Sequence, residues 1–395
     1  MIAAALATVL ALPSQRAEAI EERAWFAYAQ DVKTQDAEER HQEDLKRDRE
    51  MGAKYSQEAD KELKPSEDKE MTERVQRIGQ EMAKIADANQ VTALWGDKRL
   101  NSFDYTFKLV QGKDVNAFSL PGGYIYVYEG LVKYVESDDE LAGVLGHEVA
   151  HASFRHIATL QREQSKLSAI TLPLILLAIL AGGGPGGAQA LTAGQLVNQA
   201  VGSGWSVKAE KAADYGGFQY MLHSKYNPTG MLTMMERLAR DEKSGPAYDW
   251  GIYRTHPPGR ERAEALSGYM KEAGIPIQRS AVTTSFRTTE KPGDNGTIDL
   301  FFGKKKLVSL AGSHAIDRAE ESVTRLNAYY DAVPELFSLQ IAPDGTIIGR
   351  NRALIELTPE DAQAAKVPLD QLRETTLKNV RSSLFNLAFR IWDRV

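Results

Sequence analysis

The stretch Leu141-Ala-Gly-Val-Leu-Gly-His-Glu-Val-Ala-His151 constrains this chain more than any other. It carries His147, Glu148 and His151. Only a helix makes that spacing chemically useful. Residues four apart lie on one helical face, a turn from each other, so both imidazoles can reach one metal ion. Glu148, one residue on from His147, can then hold a water and take its proton. A strand would put both histidines on one side, but too far apart along its axis to share an ion. Local signals agree with a helix. Ser137 followed by Glu140 reads as a capping box. Leu141, Val144, Leu145 and Val149 form an apolar stripe at helical spacing. Gly143 and Gly146 each cost a helix roughly 1 kcal/mol against Ala, which points to close packing against another backbone. The competing reading is a solvated helix with two surface histidines.

The chain has 395 residues, enough for one large domain and a smaller one. Its charge of −6 speaks against a general nucleic-acid partner. The absence of cysteine removes disulfides, thiolate metal ligands and cysteine catalysis.

Residues 1–19 read as a signal peptide. A short apolar run from Ile2 to Leu12 precedes Ala17-Glu-Ala19, a small-x-small cleavage pattern, without a basic start. Cleavage after Ala19 would make the protein periplasmic. Residues 20–64 are charged and helical in spacing, and Pro65-Ser66 punctuates them, with Ser66 as a cap for the next helix. Val75, Ile78, Met82 and Ile85 mark an amphipathic helix. The period then changes. Phe103, Tyr105, Phe107 and Leu109 alternate as in a strand. Pro121-Gly122-Gly123 marks a turn between Asn116–Leu120 and Tyr124–Tyr128. Asn116, Ala117 and Phe118 therefore belong either to an edge strand to which an extended peptide can add, or to a closed hairpin whose aromatics fill the core.

Leu167 to Ala181 carries no charge and is too short for a full span; it suggests a buried or membrane-touching hairpin. Glu210 and Asp214 sit a turn apart on the next helical stretch. They are either a solvated face or, given the histidine pair upstream, a third metal ligand and an acceptor that orients a ligating histidine. His256 faces the metal cleft or caps a loop. Arg262 binds a carboxylate or ties its loop down. Lys291-Pro-Gly-Asp-Asn-Gly296 reads as a linker. The expected organisation is a metallopeptidase domain over 20–284, a linker over 285–295, and a small α+β domain over 296–395 with a weak internal duplication.

Together these residues resemble the gluzincins that include the CAAX prenyl endopeptidase and the bacterial beta-barrel assembly-enhancing protease. The resemblance runs from about Met51 to Gly274. It rests on Asn116-Ala-Phe with Pro121-Gly-Gly, His147-Glu-Val-Ala-His151 with Arg155-His156 behind it, Glu210-x-x-Ala-Asp214, and His256-Pro with Arg262. It implies an α+β, mostly helical zincin-like domain with a small mixed sheet. It also implies one Zn2+ held by His147, His151 and Glu210, with Glu148 as general base and a soluble periplasmic form. On this reading the protein is a zinc-dependent endopeptidase acting on unfolded or misassembled envelope proteins in quality control. His256 and Arg262 are candidate oxyanion or regulatory groups. The alternative from another class is a chaperone-like envelope assembly factor with a plugged, largely structural zinc site.

Overall fold

The computed structural model describes residues 13–163, 205–242, 260–333 and 336–388. Residues 1–12, the apolar stretch 167–181 and His256 lie outside the described residues. Among the described residues, no helix is long and apolar enough to cross a membrane.

A long helix, α1 (Pro13–Glu62), leads in, followed by α2 (Lys69–Ala88). Its N-cap is Asp68, whose carboxylate accepts the Met71 N–H at 2.9 Å. Ser66, expected as that cap, instead donates to Glu129 at 2.7 Å and accepts the Asp68 N–H. Either side chain can cap; the chain direction into the first turn selects Asp68. Val75, Ile78 and Met82 are buried, as the spacing predicts.

A three-stranded sheet follows: β1 (Thr106–Val110), β2 (Ala117–Leu120) and β3 (Tyr124–Tyr128), in the order β1-β3-β2. β1 runs parallel and β2 antiparallel to β3. The Pro121–Gly123 turn joins β2 to β3, with Gly122 at φ 75°, a conformation that favours glycine. The two expectations for this stretch are both met in part. The hairpin is closed, with Phe118 stacked on Tyr126 at 5.0 Å, and β2 is nevertheless the sheet's edge.

After α3 (Glu129–Tyr134) comes the central helix α4 (Asp138–Ser153). Ser137 caps it, accepting the Glu140 N–H at 3.1 Å. The Glu140 carboxylate does not return the bond to Ser137. It accepts the Glu136 N–H at 2.8 Å and pairs with Arg237 and Thr233. Leu141, Leu145 and Val149 are fully enclosed, and most of the helix is buried on every side. α2, α6 (Trp205–Leu222) and α7 (Thr229–Glu242) pack around it, and β2 lies against it. The glycines explain the tight fit. A Cβ on Gly143 would stand 2.6 Å from Met231 Cγ and 3.0 Å from its Cα, and Gly146 faces the Gly217 backbone of α6. α5 (His156–Glu163), α8 (Arg260–Glu272) and α9 (Arg279–Val282) complete this part.

The remaining residues build two meanders. β4 (Thr288–Pro292), β5 (Ile298–Phe302) and β6 (Lys305–Leu310) precede α10 (Ala315–Asp331). β7 (Leu339–Ile341), β8 (Ile347–Gly349) and β9 (Arg352–Ile355) precede α11 (Pro359–Ala365) and α12 (Leu369–Ala388). Both meanders shift register between their second and third strands. α10 packs on β4 and β9, and α12 on β6 and β7, so the two units share one core around Leu300, Tyr330, Leu339 and Ile347. The linker expected over 285–295 is corrected here. Thr288–Pro292 is a paired strand, and Gly293–Gly296 is its hairpin turn, with Asn295 at φ 55°. Turn residues look alike in a linker and in a hairpin; the partner strand, not the turn, makes the difference.

Candidate metal centre

α4 presents His147 and His151 on one face, and α6 presents Glu210 and Asp214 opposite them. The Nε2 atoms of the two histidines are 3.0 Å apart. Glu210 Oε2 lies 3.4 Å from His147 Nε2, and Oε1 lies 3.3 Å from His151 Nε2. Ligand atoms from all three residues fall within 4.8 Å of one another. Ligands about 2.0–2.1 Å from a tetrahedral zinc stand about 3.3 Å from each other, so this donor set fits such an ion. Two imidazoles and one carboxylate, with no thiolate, also match an open metal site that leaves a position for water. Glu148 is 1% exposed and follows His147 directly.

Hydrogen bonds fix the orientation of this set. Asp214 Oδ1 accepts from His147 Nδ1 at 3.0 Å, which turns the Nε2 lone pair towards Glu210. Arg262 holds both carboxylates: Nε and Nη2 donate to Asp214 at 2.7 and 2.8 Å, and Nη1 reaches Glu210 at 3.0 Å. Burial works against the charge on Arg262, but Asp214 and Glu210 outweigh it and hold the guanidinium above its usual value. Burial likewise opposes the charge on Asp214, and Arg262 overcomes it, keeping the carboxyl below the ordinary range. For His147, burial lowers the pKa, but the hydrogen bonds to Asp214 and Glu210 push it up to about 10.

His147, Glu148 and His151 of α4 are thus brought together with Glu210 and Asp214 of α6, which lie far along the chain from them. Arg262, read from sequence as binding a carboxylate or tying its loop down and as a candidate oxyanion or regulatory group, is engaged with the two carboxylates of α6. Asn116, Ala117 and Phe118 sit at the sheet edge beside α4. Sequence reasoning assigned no role to Trp95, Asp48 or Asp97, which meet the far end of α4 through Arg155 and His156. None of the three belongs to a recognisable spacing.

A mostly helical fold that brings an H-E-x-x-H helix against a second helix bearing the third ligand defines a metallopeptidase. Residues 69–270, just over half the chain, match peptidase family M48, and the chain belongs to that family. Metalloprotease LoiP of Escherichia coli (strain K12) is 29% identical over 176 residues, 45% of this chain and 67% of that protein. Mitochondrial metalloendopeptidase OMA1 of Schizosaccharomyces pombe is 28% identical over 186 residues, 46% and 51% of the two chains. Beta-barrel assembly-enhancing protease of Escherichia coli (strain K12) is 28% identical over 182 residues, 45% of this chain and 37% of that protein. The chain thus spans between about a third and two thirds of the length of these curated relatives.

Proposed function

We propose that this protein is a zinc-dependent endopeptidase that cleaves unfolded or misassembled envelope proteins in the periplasm. The observation that carries the reading is the His147–His151–Glu210 triangle, with His147 and Glu210 buried and His151 half-buried, and with buried Glu148 next to His147 in the chain. Zinc bound there would polarise a carbonyl and lower the pKa of water towards about 7. Glu148 takes a proton from the attacking water and returns it to the leaving amine. Asp214 and Arg262 keep His147 and Glu210 in register through both steps. The place of β2 at the edge of its sheet supports an extended substrate laid along Asn116, Ala117 and Phe118, paired by backbone bonds and read with little sequence selectivity. Unfolded chains are the substrates that offer such segments. The name of one relative, beta-barrel assembly-enhancing protease, supports an envelope role, as does the apolar run from Ile2 to Leu12 followed by the Ala17-Glu-Ala19 pattern.

The test is casein cleavage with and without a chelator, beside Glu148→Gln. We expect chelator-sensitive cleavage, and a loss of about 10²–10⁴-fold in Glu148→Gln with metal retained. Full cleavage by Glu148→Gln would refute the mechanism. Tight binding of unfolded protein without chelator-sensitive cleavage would favour an envelope assembly factor instead.

A further inference from the structure

We propose that His156 is the positioning residue for His151, fixing which of its nitrogens faces the metal. The inference rests on the metal-site reading above and deepens it. His156 Nδ1 lies 2.8 Å from His151 Nδ1, and His156 Nε2 lies 3.1 Å from the Trp95 carbonyl oxygen. A nitrogen–nitrogen hydrogen bond needs one N–H and one lone pair. The Trp95 carbonyl can only accept, so the proton of a neutral His156 sits on Nε2. Its Nδ1 is then a bare acceptor. His151 must therefore carry its proton on Nδ1, which leaves its Nε2 lone pair pointing at Glu210 and His147. The opposite tautomers would set two lone pairs against each other at Trp95 and put a proton where the ion belongs. His147 is oriented by a carboxylate, Asp214; His151 is oriented by an imidazole backed by a carbonyl.

The backbone is shaped to deliver this contact. In a continuous helix, the fifth residue after His151 would point about 140° away round the axis. Instead α4 ends at Ser153, and Arg155 adopts φ 50°, a left-handed conformation that breaks the helix before α5 starts at His156. Arg155 is held there by Asp48 of α1, at 2.6 and 3.2 Å, and by Asp97, at 3.0 Å, all three being buried. The His156 ring is enclosed by Trp95, Phe154 and His151, with centroids 5.2, 5.7 and 4.8 Å away. The N-terminal helix and the Trp95 loop therefore bear on the metal through one side chain.

Two substitutions separate hydrogen bonding from packing. His156→Phe fills the space and removes the acceptor. His156→Asn leaves space but keeps an acceptor at the position of Nδ1. Zinc affinity would be measured by chelator competition on full-length protein, with folding checked by circular dichroism. We expect His156→Phe to weaken zinc binding by about 10–100-fold and His156→Asn to stay within a few-fold of wild type. If His156→Phe does not fold, His156→Leu takes its place. Wild-type affinity in the acceptor-less variant, or an equal loss in His156→Asn, would overturn the proposal while leaving the metal site intact. Failure of the wild type to bind zinc would overturn the metal-site reading and this proposal with it.

Discussion

Glu136 ties the start of the metal helix to the chain entering the first meander, and its contribution to stability depends on pH. Its carboxylate accepts the Ser285 N–H at 2.7 Å, Ser285 Oγ–H at 2.6 Å and Thr284 Oγ1–H at 2.8 Å, and also the Thr283 hydroxyl. Arg237 stands 3.2 Å away. Burial pulls the pKa up, but the bonds from Ser285 and Thr283 and the charge of Arg237 overcome it, taking the group from 4.5 down to about 2. At about 1.4 kcal/mol per pH unit this corresponds to about 3 kcal/mol. A fifth of the side chain is exposed, so screening reduces the expectation to about 2 kcal/mol. The folded pKa is the lower one. The stabilisation is therefore complete above about 4.5 and disappears as pH falls through about 2. Glu136→Gln should then lose about 2 kcal/mol in urea unfolding at pH 7, with the gap to wild type closing on acidification. Hydrogen exchange at the Ser285 amide should speed up in the variant. Equal stability at pH 7, or a gap that widens towards acid pH, would refute this reasoning.

Gly143→Ala should destabilise the fold by roughly 1–3 kcal/mol despite the better helix propensity of Ala, because the added Cβ meets Met231. Thermal unfolding at pH 7 measures it, and a stabilised variant would contradict the close approach of α4 and α7. Arg262→Lys keeps the charge but loses the fork that spans Asp214 and Glu210. We expect zinc affinity to fall by about 10–100-fold in chelator competition, and unchanged affinity would show that Arg262 does not hold the ligands.

Much of the site could be read before the fold was known because its chemistry is periodic. His147 and His151 are a turn apart, as are Glu210 and Asp214, and helical spacing alone places each pair on a face. Gly143 and Gly146 announced a close neighbour, though not that it would be Met231 or Gly217. What stayed hidden depends on breaks in periodicity and on distant partners. His156 reaches His151 only because Arg155 turns left-handed, and that turn depends on Asp48, 107 residues away. Arg262 could be read as a carboxylate binder, but nothing local said that it would grip both Asp214 and Glu210. β4 was hidden for a related reason. Thr288–Pro292 is polar and ends in proline, and it becomes a strand because β5 lies beside it.

The proposed metal centre uses three side chains from two helices to hold one divalent ion. Its most direct test is metal content after dialysis, measured by mass spectrometry on wild type and Glu210→Ala. We expect one zinc per wild-type chain and essentially none in the variant, with the fold retained. Equal zinc in both proteins would contradict that assignment.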